Sequence, residues 1–301
     1  MKKTGSISLW IVLSTLIYAQ NSLEMEALAP NNTIQNSPSQ NDVTTLLKLS
    51  YEALDFTNSK KKDDGKRVGI AIDYKDTNNL YQVVYEKTDT TTFKPPLTKN
   101  LKVDKYYFKY TRKLNSLHSL NFSYGYIDDN LMRETTHGHI YGIGYSYSSF
   151  GFTQYLSDYK QFNVYQSEAK YSFKKSFDKL KTSLSVVGKY IHLQDKNSNN
   201  FSKNAKTNYF TTGVKLHTRY DDYHFKVGAF FGKRIFAVMN NGFKVQHHAM
   251  EFKNTYMCGI GKKFNNTDIN LKYVYQKATE IPIHNKNVKV QNIILQVAYK
   301  F

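Results

Sequence analysis

The chain ends on the stretch that most restricts its fold: Asn292-Ile293-Ile294-Leu295-Gln296-Val297-Ala298-Tyr299-Lys300-Phe301. In an extended strand Ile293, Leu295, Val297, Tyr299 and Phe301 share one face, because successive side chains point to opposite sides. Asn292, Ile294, Gln296, Ala298 and Lys300 share the other. The pattern persists to the final residue, where a soluble domain usually frays into solvent.

The same alternation recurs from Val43 onward, with turn chemistry between the stretches. Leu47, Leu49, Tyr51 and Ala53 align, then Val68, Ile70, Ile72 and Tyr74, then Tyr81, Val83 and Tyr85. Later sets include Tyr106, Phe108 and Tyr110, a weaker one around Phe150 and Phe152, and Met250, Phe252, Tyr256 and Cys258. Fourteen strands can be placed; merging the pair that flanks Ser148–Ser149 leaves twelve. The connections alternate between short (Lys75–Asn79, Leu114–Ser116, Lys174–Lys179, Asp221–Asp222) and longer (Thr57–Arg67, Thr88–Leu101, Leu193–Lys206, Ala237–Lys244).

A terminal strand closing on Phe301 and this asymmetry of connections resemble bacterial outer-membrane β-barrels, with tight periplasmic turns and larger extracellular loops. The resemblance covers Val43 to Phe301. It implies an all-β, closed, antiparallel up-and-down transmembrane barrel in a Gram-negative outer membrane. It also implies dealings with the lipid bilayer, with lipopolysaccharide, and with the barrel-assembly machinery through the strand ending in Phe301. Met1 to Ala19 reads as a secretory signal, with Lys2 and Lys3 before an apolar core from Ile7 to Ile17. Residues 20–43, rich in Asn, Gln, Ser and Pro, read as a disordered periplasmic lead or a small plug. The barrel then occupies residues 44–301. Past the signal, no apolar run approaches the roughly 18 residues of a spanning helix. Twenty-five Tyr and 19 Phe against 5 Pro suit many strands flanked by aromatic belts. The single cysteine, Cys258, excludes an internal disulfide and is expected to face lipid.

A formal charge of +18 invites a nucleic-acid reading. Nucleic-acid domains gather their Lys and Arg on one face or in tails, however, and here they spread through nearly every segment. If the apolar parity faces lipid, the other lines the interior. Its bases are Lys48, Lys105, Lys109, Lys170, Lys181, Lys189, Lys215, Arg219, Lys226, Lys253, Lys272 and Lys300. Its acids are Glu52, Asp73, Glu86, Glu168 and Glu251. Burying an unpaired ammonium costs several kcal/mol, so a surplus of bases implies water inside. The expectation is a porin-like channel for small polar solutes that favours anions. The alternative is a closed surface barrel acting as receptor, adhesin or structural anchor through its loops.

No enzyme signature survives inspection, and no cofactor is expected. Asp222-Tyr223-His224 with Asp128-Asp129 superficially resembles the acid and Asp–His pairs of omptin-type proteases. The topology puts the two groups at opposite ends of the barrel, whereas acid–base partners must meet within hydrogen-bond reach. No His-x-Ser segment of the outer-membrane phospholipase kind occurs. His137, His139, His247 and His248 are expected near the extracellular rim, where His137 and His139 have a spacing that metal sites can use. The long loops are basic (Lys60, Lys61, Lys62, Lys66, Arg67, Lys94, Lys99, Lys196, Lys203, Lys206, Lys233, Arg234 and Lys244), which suits bridging lipopolysaccharide phosphates or plain solvation.

Overall fold

The computed structural model describes residues 43–92, 99–132, 134–196 and 205–301. The expected signal, the lead up to residue 42, Lys94 and Lys203 lie outside these residues. The strands are β1 (Thr44–Thr57), β2 (Lys62–Lys75), β3 (Asn79–Thr92), β4 (Leu101–Lys113), β5 (His118–Asp129), β6 (Gly138–Tyr147), β7 (Phe150–Asp158) and β8 (Phe162–Phe177). They continue as β9 (Leu180–Asp195), β10 (Asn208–Tyr220), β11 (Tyr223–Gly232), β12 (Val238–Met239), β13 (Lys244–Val245), β14 (Met250–Phe264), β15 (Thr267–Glu280) and β16 (Asn285–Lys300).

Fourteen of them form a closed antiparallel barrel in which each strand pairs with its sequence neighbours and β16 returns to β1. The short β12 and β13 pair only with each other. Of the two strand counts the sequence allows, fourteen is the one adopted, because β6 and β7 turn back on each other through Ser148, at φ 50°. The seam runs from Leu46 opposite Lys300 to Thr57 opposite Lys289. The Phe301 amide then donates to the Thr45 carbonyl at 3.0 Å. The terminal strand therefore leaves no free edge, which is what a sheet needs where no water can satisfy its backbone.

The connections at one end are tight: 76–78, 114–117, 148–149, 178–179, 221–222 and 265–266. The other end carries 58–61, 93–100, 130–137, 159–161, 196–207, 233–249 and 281–284. The alternation is looser than the sequence suggests, since 159–161 is shorter than 114–117. The strands also run further into the loops than expected, taking in Lys62 to Arg67 and Thr88 to Thr92.

Outside, the apolar parity is exposed as expected: Leu49, Tyr51, Val68, Ile70, Ile72, Phe108, Ile143 and Leu295 among many. Cys258 is also exposed. Tyrosines pair across strands at both borders of this band, Tyr74–Tyr81–Tyr110 towards the turns and Tyr85–Tyr106–Tyr126 towards the loops. Such rings suit the wet edge of a bilayer.

The interior departs from the expected water-filled tube. Its loop end is an apolar core of Leu101, Val103, Ile127, Ile140, Val164, Ile191 and Leu193, all nearly inaccessible. Into this core folds the segment after β11, bringing Ile235, Phe236, Ala237, Val238, Met239 and Val245. A second cluster beside it joins Leu54, Phe56, Met250, Phe252, Ala278, Val288 and Val290. Buried polar side chains such as Lys62, Thr88, Thr90, Lys105 and Gln166 are set among these apolar groups, and the turn-end half of the interior is lined mainly by polar side chains.

Candidate functional site

The site is the segment 233–249 strapped across the lumen, with the polar space beneath it. The segment leaves the wall at Gly232, whose φ of 89° is open to glycine at little cost. Arg234 makes an antiparallel bridge to Phe252, with N···O distances of 2.9 Å in both directions. Its guanidinium, fully buried, lies between the Phe230 and Phe252 rings at 5.7 and 5.6 Å and donates to the Thr255 hydroxyl. Burial holds its pKa down to about 10, which still leaves it charged at neutral pH. The chain then forms the β12–β13 ribbon, whose turn uses Asn240 and Asn241 at positive φ and Gly242 at φ 104°. Asn and Gly are the residues that tolerate such angles.

Two walls hold the ribbon. On one, Gln166 of β8 both donates to the Val238 carbonyl (2.8 Å) and accepts from its amide (2.9 Å), so that a side chain stands in for a strand partner. Lys189 of β9, paired with Glu168, donates to the same carbonyl at 3.0 Å. On the other wall, Lys105 of β4 donates to the Val245 carbonyl (3.0 Å), and the Tyr107 hydroxyl accepts from the Val245 amide (3.2 Å). Lys109 reaches the Asn241 carbonyl at the tip, at 3.0 Å. Lys244 approaches Glu52 at 3.4 Å, and Glu52 is also held by Arg67 (2.6 Å) and Asn292 (2.7 Å).

The expected lumen residues can be placed one by one. Lys105, Lys109 and Lys189 face inward but hold the ribbon, and Glu52 and Glu168 are engaged in the same network. Lys48 pairs with Asp73 at 2.5 Å. Lys170, Lys181, Lys215, Arg219, Lys226 and Lys272 face inward in the turn-end half with no carboxylate in ion-pair range among the described residues. Lys226 donates to Asn270 and Lys215 lies over the Phe230 ring.

Glu251 and Lys253 are corrections. A register irregularity between Phe252 and Thr255 shifts the parity of β14. Phe252 stands opposite Ala278, which shares its face with Gln276 and Lys272. Met250 and Phe252 therefore turn inward, where lipid contact was expected. By register Glu251 falls on the parity opposite Phe252, yet its side chain is buried, paired with the exposed Lys233 at 2.7 Å. Lys253 lies within the irregularity itself, and its carbonyl accepts a long contact from Arg234 (3.5 Å).

The histidines do not converge. His137 and His139 sit in the outer tyrosine belt, bonded to the hydroxyls of Tyr126 (2.7 Å) and Tyr124 (2.8 Å). His247 and His248 stack at 4.1 Å inside the barrel, at the root of the ribbon. No group of three metal-ligating side chains forms among the described residues. Lys62 and Arg67, expected in an outer loop, belong to β2 and point inward, and Arg234 is buried. Lys60, Lys66, Lys99, Lys196, Lys206 and Lys233 remain exposed. Asp128 and Asp129 lie at the loop end, whereas His224 bonds Asp268 near the turns (3.0 Å). Sequence reasoning missed the ribbon and its anchors Gln166, Tyr107 and Arg67. Five consecutive apolar residues from Ile235 to Met239 were the available signal.

A closed fourteen-stranded antiparallel barrel, greasy outside and crossed by an inward-folded segment, has the architecture of outer-membrane β-barrels. Among solved structures the chain resembles a bacterial polysaccharide outer membrane secretin, at 8% identity with a TM-score of 0.51, covering 85% of this chain and 98% of that one. It also resembles the Ralstonia pickettii toluene transporter TbuX (9% identity, TM-score 0.48, 87% and 90% covered) and the Acinetobacter baumannii outer membrane protein Omp33 (8%, 0.47, 86% and 99%). At such identities the likeness is one of fold. No protein-family model matches the chain, and neither does any curated protein sequence.

Proposed function

We propose that the protein is a porin-like channel of a Gram-negative outer membrane, passing small polar solutes with a preference for anions. In this reading the turn end faces the periplasm and the loop end the cell exterior, following the usual asymmetry of such barrels. The observation that carries it is the inner wall beneath the ribbon. There Lys170, Lys181, Lys215, Arg219, Lys226 and Lys272 stand without carboxylate partners, so they need water or passing anions to solvate them. The ribbon narrows the path, and selection arises from lumen charge at that constriction, with no covalent step.

The test is a planar bilayer holding the refolded protein under a salt gradient. A reversal potential of the sign set by anion flow is expected, and cation preference would overturn the reading. A second reading is favoured by the apolar packing of the loop end: a barrel kept shut by its ribbon, serving as an anchor or receptor through its loops. Absence of any conductance, with the barrel shown to be folded, would decide for that one. Exposed loop lysines such as Lys60, Lys99 and Lys206 are then placed to bridge lipopolysaccharide phosphates.

A further inference from the structure

Beneath the ribbon tip, between Asn241 and the inner faces of β4 to β9, lies a polar recess with about 80 Å3 of enclosed space, open on the side of the Ser148–Ser149 turn. Its lining is unlike the rest of the interior. Hydroxyls dominate, including Ser172 and Ser185, which bond each other at 2.9 Å, together with the amide of Asn121. Backbone glycine keeps the space open: a Cβ on Gly144 would come within 2.5–2.8 Å of the Asn121 amide and 2.6 Å of the Thr153 hydroxyl. The charges divide unevenly. Glu168 is taken by Lys189, Lys109 is tied to the Asn241 carbonyl and Lys174 has a contact of its own, which leaves Lys170 as the unpaired cation facing the chamber.

From this juxtaposition of one unpaired ammonium with many short hydroxyl and amide groups, we infer that the chamber binds a small polyhydroxylated anion, of the sugar-acid or sugar-phosphate class. Lys170 takes the anionic group. The serines and Asn121 exchange hydrogen bonds with the hydroxyls, since each serine can both donate and accept. An apolar carboxylate would leave those groups unpaired on burial, and a neutral sugar would leave Lys170 without its anion. This inference names the solute class of the proposed channel and rests on that reading for its biological role. The binding itself can be measured without any current.

The experiment is isothermal titration calorimetry on the full refolded chain in detergent, with gluconate, glucose 6-phosphate, acetate and glucose as probes. Gluconate or glucose 6-phosphate should bind at least about ten-fold more tightly than acetate or glucose, and the comparison of those two tells carboxylate from phosphate. Lys170→Gln should weaken the preferred anion by about ten-fold, the loss expected for one charge-assisted hydrogen bond. Ser172→Ala with Ser185→Ala should weaken gluconate and leave acetate unchanged. Equal binding of gluconate and acetate, no binding of either sugar anion, or indifference to Lys170→Gln would each overturn the inference. Binding without conductance would sink the channel and leave the site standing.

Discussion

Gln166 shows how one residue can set the shape of a lumen. Its amide makes both bonds that the Val238 backbone needs in a buried setting. Replacement by Ala would strand the buried Val238 amide, at about 1–3 kcal/mol for an unsatisfied group, while Lys189 still serves the carbonyl. Gln166→Ala should therefore lower hydrogen-exchange protection of the Val238 amide by about ten- to a hundred-fold while the barrel amides keep theirs. Unchanged protection would mean that the ribbon is held by packing alone. Gly213 illustrates a second device, since a Cβ there would lie 2.4 Å from the Phe230 ring. That ring covers both Lys215 and Arg234. Gly213→Ala should cost about 1–3 kcal/mol by overpacking, seen as a lower urea midpoint of the refolded protein. The inward direction of Gln166 was legible in the alternation. Its partner, seventy-two residues away, was not, because periodicity carries no long-range pairing. Glu251 was misplaced for a related reason: a bulge of one residue exchanges the two faces and leaves no mark in composition.

At the scale of elements, the barrel strands were legible and the ribbon was not. A strand that faces lipid on one side and polar groups on the other announces itself by parity. A segment folded into a lumen is surrounded by protein and needs no such parity. Its apolar run from Ile235 to Met239 is matched on the walls by the inward-facing Leu101, Val103, Ile127 and Ile191. Phe236 takes φ 52°, an angle costing a non-glycine residue about 1–2 kcal/mol, and its ring packs on Tyr159 and Phe162 at 6.0 and 4.8 Å. At the ribbon root, burial and then the charges of Lys105, Lys62 and Arg67, from β4 and β2, hold His247 well below the ordinary imidazole value of 6.5. Burial and the same side chains do so for His248, together with His247 itself. A docked ribbon thus excludes protons that a released one takes up, so docking is strongest above pH 6.5. It weakens as the pH falls below that value, by up to about 1.4 kcal/mol per pH unit for each histidine. Channel opening, or exposure of the ribbon to protease, should rise between pH 7 and pH 5. His247→Gln with His248→Gln should flatten that dependence; a pH response as steep in the double variant would place the sensor elsewhere.

For the whole molecule, the sign of the interior field matters more than any single contact. The closed cylinder with its apolar exterior follows from alternation and the terminal strand, and Phe301 completes the seam as expected. The uneven interior, packed with apolar side chains at the loops and basic near the turns, follows only once the ribbon is in place. Across β11, β14 and β15 the register sets Lys226 opposite Gly259 and Gly259 opposite Lys272, so two ammonium groups flank a gap where no side chain intervenes. In a low-dielectric tube such charges concentrate anions along the wall. Lys226→Glu with Lys272→Glu changes the local charge by four without touching the ribbon anchors. The anion-to-cation permeability ratio should fall by at least about two-fold, and more at low salt, where screening over a Debye length of about 10 Å is relaxed. Lys233→Glu, on the exposed loop end, should shift the reversal potential far less. If the loop substitution moved it as much as the wall pair, selection would lie at the outer mouth, and the basic wall would be solvated surface without a role in permeation.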